Sequence, residues 1–268
     1  MNKRQGRTTD QLREVKVTFD AFGYSSGSVL FEIGKTKVLC SVNLNLGVPS
    51  FLKGRKMGWL TAEYSMLPSS TSTRMKREIS SMRRNGRSVE ISRLIGRSLR
   101  AIVDFSLLGE RTIIVDCDVL QADGGTRVAC ITGSCIALQV AVNNWLKNKI
   151  IRKNILTDSI AAISVGIVSG VPFLDVDFSE DRVAEADFNF VITKSNKIIE
   201  IQGAAEGAAI SWDQFEKARV IALSGIEQLF KIGEEYFSET ISVTEDIKQG
   251  SKKCTPFFSL KNRQNLEI

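Results

Sequence analysis

The chain of 268 residues contains no histidine. That absence excludes a Ser-His-Asp triad, a Cys-His dyad, an imidazole general base and histidine-ligated zinc. Any catalysis must rest on carboxylates, cations, backbone amides or a hard metal ion. Five cysteines are present without a Cys-x-x-Cys pair, and three lie in segments that read as buried. Reduced thiols in a cytoplasmic protein are the expectation. Only four prolines occur, and no long Pro/Gly-rich linker. No uninterrupted apolar run is long enough to cross a bilayer. The opening Met-Asn-Lys-Arg-Gln-Gly-Arg lacks the apolar centre of a secretion signal. Neither Gly-x-Gly-x-x-Gly nor a Walker motif appears. The 43% hydrophobic content is ample for a core, in one large domain or two closely packed halves.

What the chain has in excess is positive charge, and the excess is local. Nine of its 36 Lys and Arg residues but only two of its 30 Asp and Glu residues fall between Arg74 and Arg100. The other 27 bases and 28 acids nearly cancel, so this one segment accounts for the net +6. A solvated face normally mixes signs, so a polyanionic partner is the better reading. Residues 69–86, rich in Ser, Thr, Arg and Met, read as an exposed mobile loop carrying Arg74 and Arg77. Residues 88–104 read as a helix, with Ile91, Leu94, Ile95, Leu99, Ile102 and Val103 at three- and four-residue steps. Ser88 is placed to cap it and Arg87 lies just before its first turn. Arg93, Arg97 and Arg100 form a basic stripe beside the apolar one. Such a loop and helix suit the backbone of a flexible RNA or DNA strand, gripped without base readout.

A second signal lies at Gln121-Ala-Asp-Gly-Gly-Thr-Arg127. Residues 111–120 are β-branched and apolar and read as a buried strand; residues 128–146 read as a buried helix. The connection puts Gly124 and Gly125 at a strand-to-helix turn, with Thr126 as N-cap and Arg127 in the first helical turn. Free backbone N–H groups, a helix dipole and a guanidinium then converge, which is a phosphate site. A tight turn with Arg127 in water fits the same seven residues; the neighbouring basic segment weighs toward the anion.

Acids gather at residues 173–193. Asp175 and Asp177 alternate with apolar residues in an expected strand 171–178, Glu180 and Asp181 fall in a turn, and Asp187 opens a strand. Adjacent strands would bring Asp181 and Asp187 together, to hold Mg²⁺ through water or to divide acid and base roles. Ordinary turn acids and a strand cap fit the spacing as well. Further strands are expected at 15–19, 28–33, 37–44, 58–64, 160–168 and 197–202, and a helix at 212–230. Both halves run strands and then a helix, an α+β order.

These residues carry a family resemblance. Asp116-Cys-Asp-Val-Leu-Gln-Ala-Asp-Gly-Gly-Thr-Arg127 resembles the phosphate-site signature of the RNase PH family, phosphate-dependent 3′→5′ exoribonucleases that trim transfer RNA precursors. The run from Gly86 to Arg100 resembles that family's basic helix. Residues 174–181 with Asp187 resemble its carboxylate segment, and Ile201-Gln-Gly-Ala-Ala-Glu206 its later strand. Gly6-Arg7 and Asp10-Gln-Leu-Arg13 match its opening. The matches run in order over roughly residues 6–235.

The resemblance implies a duplicated β-rich βα unit, of the ribosomal protein S5 domain 2-like type, with mixed sheets packed against helices. Its halves would be 10–147 and 155–235 of a single catalytic domain spanning 1–268, with 248–268 a flexible tail. It implies phosphate bound by Arg87, Gly125, Thr126 and Arg127, and Mg²⁺ held by Asp181 and Asp187, with Asp181, Asp187 and Arg127 catalytic. It further implies RNA ends held with help from Arg93 and Arg97, and a homo-hexameric ring built as a trimer of dimers. Two departures stand out: Lys3-Arg4-Gln5 replaces the usual Met-Arg-Pro, and Arg182 stands where the family usually has Ser. Beside Asp181, Arg182 would depress its pKa or pair with phosphate. Rival readings are an inert RNA-binding ring subunit and a two-metal hydrolase using Asp175, Asp177, Asp181 and Asp187. A glycosidase-type carboxylate pair is disfavoured by the basic segment.

Overall fold

The computed structural model of the chain describes residues 4, 6–77, 85–206 and 209–249, with side chains through 236. Its contacts divide into two compact units, Met1–Gly233 and Glu234–Ile268. The first holds both sheets and every site residue. The tail expected to be flexible lies, from residue 250, outside the described residues.

The first sheet has the order β1-β2-β3-β5-β4, built from β1 (Val15–Phe19), β2 (Gly27–Ile33), β3 (Thr36–Leu46), β4 (Trp59–Met66) and β5 (Arg111–Gln121). β4 and β5 pair in parallel across the crossover that contains α1 (Gly86–Arg100); the other pairings of this sheet are antiparallel. Along β3 and β5 every second side chain is buried, so Val38, Cys40 and Val42 share one face with Val115, Cys117 and Val119.

The second sheet has the order β7-β6-β8-β9, from β6 (Ile160–Val168), β7 (Val171–Leu174), β8 (Ala186–Thr193) and β9 (Ile198–Ala205), and is antiparallel throughout. β6 is buried at all nine positions, and apart from Ser164 its residues are all apolar or glycine.

Both sheets pack against one helix, α2 (Thr126–Lys147). It is apolar nearly all round, as a helix enclosed on both sides must be. Its length and hydropathy would suit a membrane span, but 78% of the apolar window is buried inside the fold. Ile131, Leu138 and Trp145 are at most 1% exposed, each contributing roughly 1.5–3 kcal/mol of burial. Because α2 is the core of both halves, its N-terminus is set where they meet.

Three local expectations are corrected. The helix expected at 88–104 spans Gly86–Arg100, and its cap is Asn85, whose side chain accepts from the Arg87 N–H at 3.1 Å. Ser88 is instead buried in the first turn. The strand expected through residue 178 stops at Leu174, because Asp175 adopts a left-handed backbone with φ +51°. A short helix follows, α3 (Phe178–Asp181), started by a capping box in which Asp177 accepts from the Ser179 and Glu180 N–H groups. The last helix is much longer than its apolar pattern: α4 runs Trp212–Gln249.

Asp175 is fully buried and paired with Arg13. Its carboxylate accepts from the Arg13 backbone N–H and Nε at 2.9 Å each, and from Nη2 at 2.6 Å. The same guanidinium donates to the carbonyls of Asp123 and Gly124. Arg4 and Arg7 add ion pairs to Glu180, so the N-terminal segment pins α3. We predict that Arg13→Leu costs about 3–5 kcal/mol, the usual penalty for leaving one member of a buried pair uncompensated. Urea denaturation measures it; wild-type stability would show that this pair does not tie the halves.

Candidate active site

A cavity of ≈690 Å³ opens where the N-terminus of α2 meets α3 and β8. Its walls come from both halves. Arg87 and the 123–127 turn line it from the first, and Ser164, Val176, Asp181, Asp187 and Asn189 from the second.

The turn is built by its glycines. Gly124 and Gly125 have φ of +79° and +67°, a region open to glycine at little cost. A Cβ on Gly124 would stand 2.5 Å from the Val176 carbonyl oxygen, so the second half closes directly over the turn. Gly125, and not Thr126, is the N-cap of α2. Thr126 is the first helical residue; it lines the cavity, and its Oγ1 lies 3.1 Å from the buried Tyr64 hydroxyl. Glycine has no side chain with which to cap, so the first N–H groups of α2 keep their capacity for an anion.

Two cations attend the turn. Arg87, exposed in the first turn of α1, lines the cavity. Arg127 donates through Nη1 to the Gln202 side-chain oxygen at 3.2 Å, with the Glu90 carboxylate 3.8 Å away. Across the cavity stand Asp181, the last residue of α3, and Asp187, the second of β8. Enclosure raises the pKa of Asp181 above its ordinary value, the Asp187 charge adds to the rise, and Arg87 and Arg127 partly offset it. Of the two expectations for Arg182, depression of the Asp181 pKa is not seen, since Asp181 moves up; pairing with phosphate stays open, because Arg182 lines the cavity. The Arg182 guanidinium sits 6.0 Å from the Phe178 ring on the cavity wall.

No group of three or more Cys, Asp or Glu side chains suited to a metal occurs among the described residues. Asp181 and Asp187 supply two carboxylates whose mutual repulsion a cation would relieve. Magnesium, which keeps most of its water, is commonly held by one or two carboxylates, so this pair fits it. The four-aspartate hydrolase arrangement does not form. Asp175 is fully buried against Arg13 and Asp177 is used as a helix cap.

The basic stripe of α1 divides by partner. Arg93 is exposed, as are Arg74 and Arg77 in the preceding loop. Arg97, though exposed, makes a bidentate pair with Glu200 through Nε and Nη2, at 2.9 and 2.7 Å. Arg100 donates to the Leu60 carbonyl and lies over the Trp59 ring, and burial lowers its pKa. Residues 78–84 of the basic loop lie outside the described residues.

Among the residues the sequence did not single out are Ser164, Asn189 and Glu206, which line the cavity, and Gln202, which stands behind Arg127. Ser164 and Asn189 are cross-strand partners, each more than nine-tenths buried, and the Ser164 Oγ has no hydrogen-bond partner. A polar residue inside an otherwise apolar strand was the available signal. Gln202 and Glu206 carried no comparable mark in their segment.

Comparison with known proteins agrees with this geometry. Domain 1 of the 3′ exoribonuclease family matches residues 11–142, and domain 2 of the same family matches residues 158–225. Ribonuclease PH of Neisseria meningitidis is 50% identical over 228 residues, covering 85% of this chain and 94% of the relative. Rice (Oryza sativa) Rrp46 has the same fold at a TM-score of 0.69 and 18% identity, over 85% of this chain and 97% of that one. The Archaeoglobus fulgidus exosome with RNA bound to the active site gives a TM-score of 0.71 at 20% identity, over 86% of this chain and 92% of that one. The chain belongs to the 3′ exoribonuclease family, RNase PH type.

Proposed function

We propose that the 124–127 turn, with Arg87 and Arg127, holds inorganic phosphate for attack on the 3′-terminal linkage of RNA. The observation that carries this reading is the single cavity joining an uncapped helix N-terminus and two arginines to the Asp181–Asp187 pair. The chain is a phosphorolytic 3′→5′ exoribonuclease that acts on transfer RNA ends.

The anionic partners repel, and the N–H groups of α2 and the two guanidinium groups offset that repulsion at no reorganisation cost. A phosphate oxygen attacks the last phosphorus in line, and the bond to the 3′-oxygen of the preceding nucleotide breaks. The phosphate proton is lost, the 3′-oxygen gains one, and a nucleoside 5′-diphosphate leaves an RNA shortened by one nucleotide. Asp181, its pKa raised, is the group suited to pass that proton. The diphosphate keeps the bond energy, so nucleotide addition is the reverse reaction. Asp181 and Asp187 would hold Mg²⁺, which supplies charge neutralisation at the leaving oxygen.

Arg74, Arg77 and Arg93 contact the RNA backbone, and Arg97 adds its exposed charge beside them while keeping its two bonds to Glu200. Both halves form one catalytic unit, since each contributes a cavity wall. The reading extends, through the family resemblance, to a homo-hexamer assembled as a trimer of dimers. It also extends to the cytoplasm, with which the four buried free cysteines Cys40, Cys117, Cys130 and Cys135 accord.

The direct test supplies RNA bearing a short 3′ extension, with Mg²⁺, and with phosphate present or omitted. Diphosphates released only with phosphate are expected; monophosphates without it would establish hydrolysis instead. Arg127→Ala should lower the rate by roughly 10²–10³-fold, the usual loss of one preorganised charge donor, with RNA binding retained. Wild-type turnover in that variant would sink the phosphate assignment. Asp187→Asn should abolish turnover with the fold kept. It should also move the Asp181 pKa down, because the Asp187 charge helps to raise it. Carboxyl ¹³C titration reads that shift, and an unmoved Asp181 would separate the two aspartates.

A further inference from the structure

We infer that Gln202 is a positioning residue for Arg127, holding the guanidinium over the phosphate turn by a neutral acceptor while leaving its charge free for the anion. Gln202 lies half-buried on β9, opposite Asn189 of β8, outside the cavity lining itself. Its side-chain oxygen accepts from Arg127 Nη1 at 3.2 Å. Its amide nitrogen donates to Glu200 at 3.0 Å and to Glu90 at 3.4 Å. The neighbours dictate that orientation, since a guanidinium can only donate and carboxylates can only accept.

Glu200 is anchored in turn by the two bonds from Arg97. A continuous chain therefore runs from α1 through Glu200 and Gln202 to Arg127, fixing the arginine from behind. A long arginine left unrestrained loses rotamer freedom when it grips an anion, and that loss weakens binding. Gln202 meets that loss in the folded chain beforehand.

The amide is also the chemistry the place requires. A carboxylate at 202 would pair with Arg127 and compete with phosphate for it. It would also face Glu90 and Glu200, two like charges at hydrogen-bond distance, with no proton to share. An apolar side chain would leave Arg127 to the Glu90 carboxylate, 3.8 Å away, and turn it from the cavity.

This inference rests on the phosphate-site reading above, and its test separates the two. Steady-state phosphorolysis is followed against inorganic phosphate and, separately, against RNA, for wild type, Gln202→Glu and Gln202→Ala, with thermal melting alongside. Both variants should raise the phosphate KM roughly tenfold, the weight of one charge-assisted hydrogen bond, and leave the RNA KM near wild type. Gln202→Glu, nearly the same size and shape, keeps the test valid if Gln202→Ala loosens the fold. An unchanged phosphate KM, an equal rise in both KM values, or a fall in kcat alone would overturn the positioning role. A wild type that releases no diphosphate in response to phosphate would instead overturn the underlying reading.

Discussion

The buried pair between Arg13 and Asp175 is the constraint on which the site depends. One guanidinium binds a carboxylate from the second half and the carbonyls of Asp123 and Gly124 from the first. Burial alone would lower the Arg13 pKa, but the Asp175 hydrogen bonds and charge outweigh it and hold the cation firmly charged. The pair therefore fixes the 123–127 turn relative to the loop that launches α3. Since α3 ends on Asp181, the distance across the cavity is set by an interaction that never enters it. The left-handed backbone of Asp175 is the local cost of aiming its side chain inward.

Around that tie the electrostatics are arranged by opposition. Cations stand at the turn and carboxylates across from it, on the walls of one cavity. Asp181 feels burial and Asp187 pushing its proton affinity up while Arg87 and Arg127 pull it down. A phosphate entering between them would neutralise the arginines and deepen the push on Asp181. Anion binding and the readiness of the acid are thus coupled by Coulomb's law, without any conformational step.

The scaffold makes this arrangement rigid. α2 is shared by both sheets, so its N-terminal N–H groups cannot shift without disturbing two cores at once. Arg74 and Arg77, in the loop before α1, and Arg93, on α1 itself, are exposed.

Periodicity, glycine placement and charge clustering were enough to read most elements, the α+β class and the turn at 124–127, and they marked Arg87, Arg127, Asp181 and Asp187 as candidates, which the fold gathers at one cavity. These are local or compositional signals: a strand alternates, a buried helix is apolar all round, and a basic cluster stands out from a neutral background. The details that went astray depended on partners distant in sequence. Asp175 looked like one more strand residue until Arg13, 162 positions away, claimed it. Thr126 had the chemistry of a cap, but Tyr64 took its hydroxyl and Gly125 took the cap position. Arg97 belonged to a free stripe until β9 brought Glu200 against it. The chain by itself determined which residues could bind an anion, because that capacity resides in single side chains and short turns. Only the tertiary structure decided which of them face the cavity, because ion pairs and burial arise from contacts that spacing along the chain does not encode.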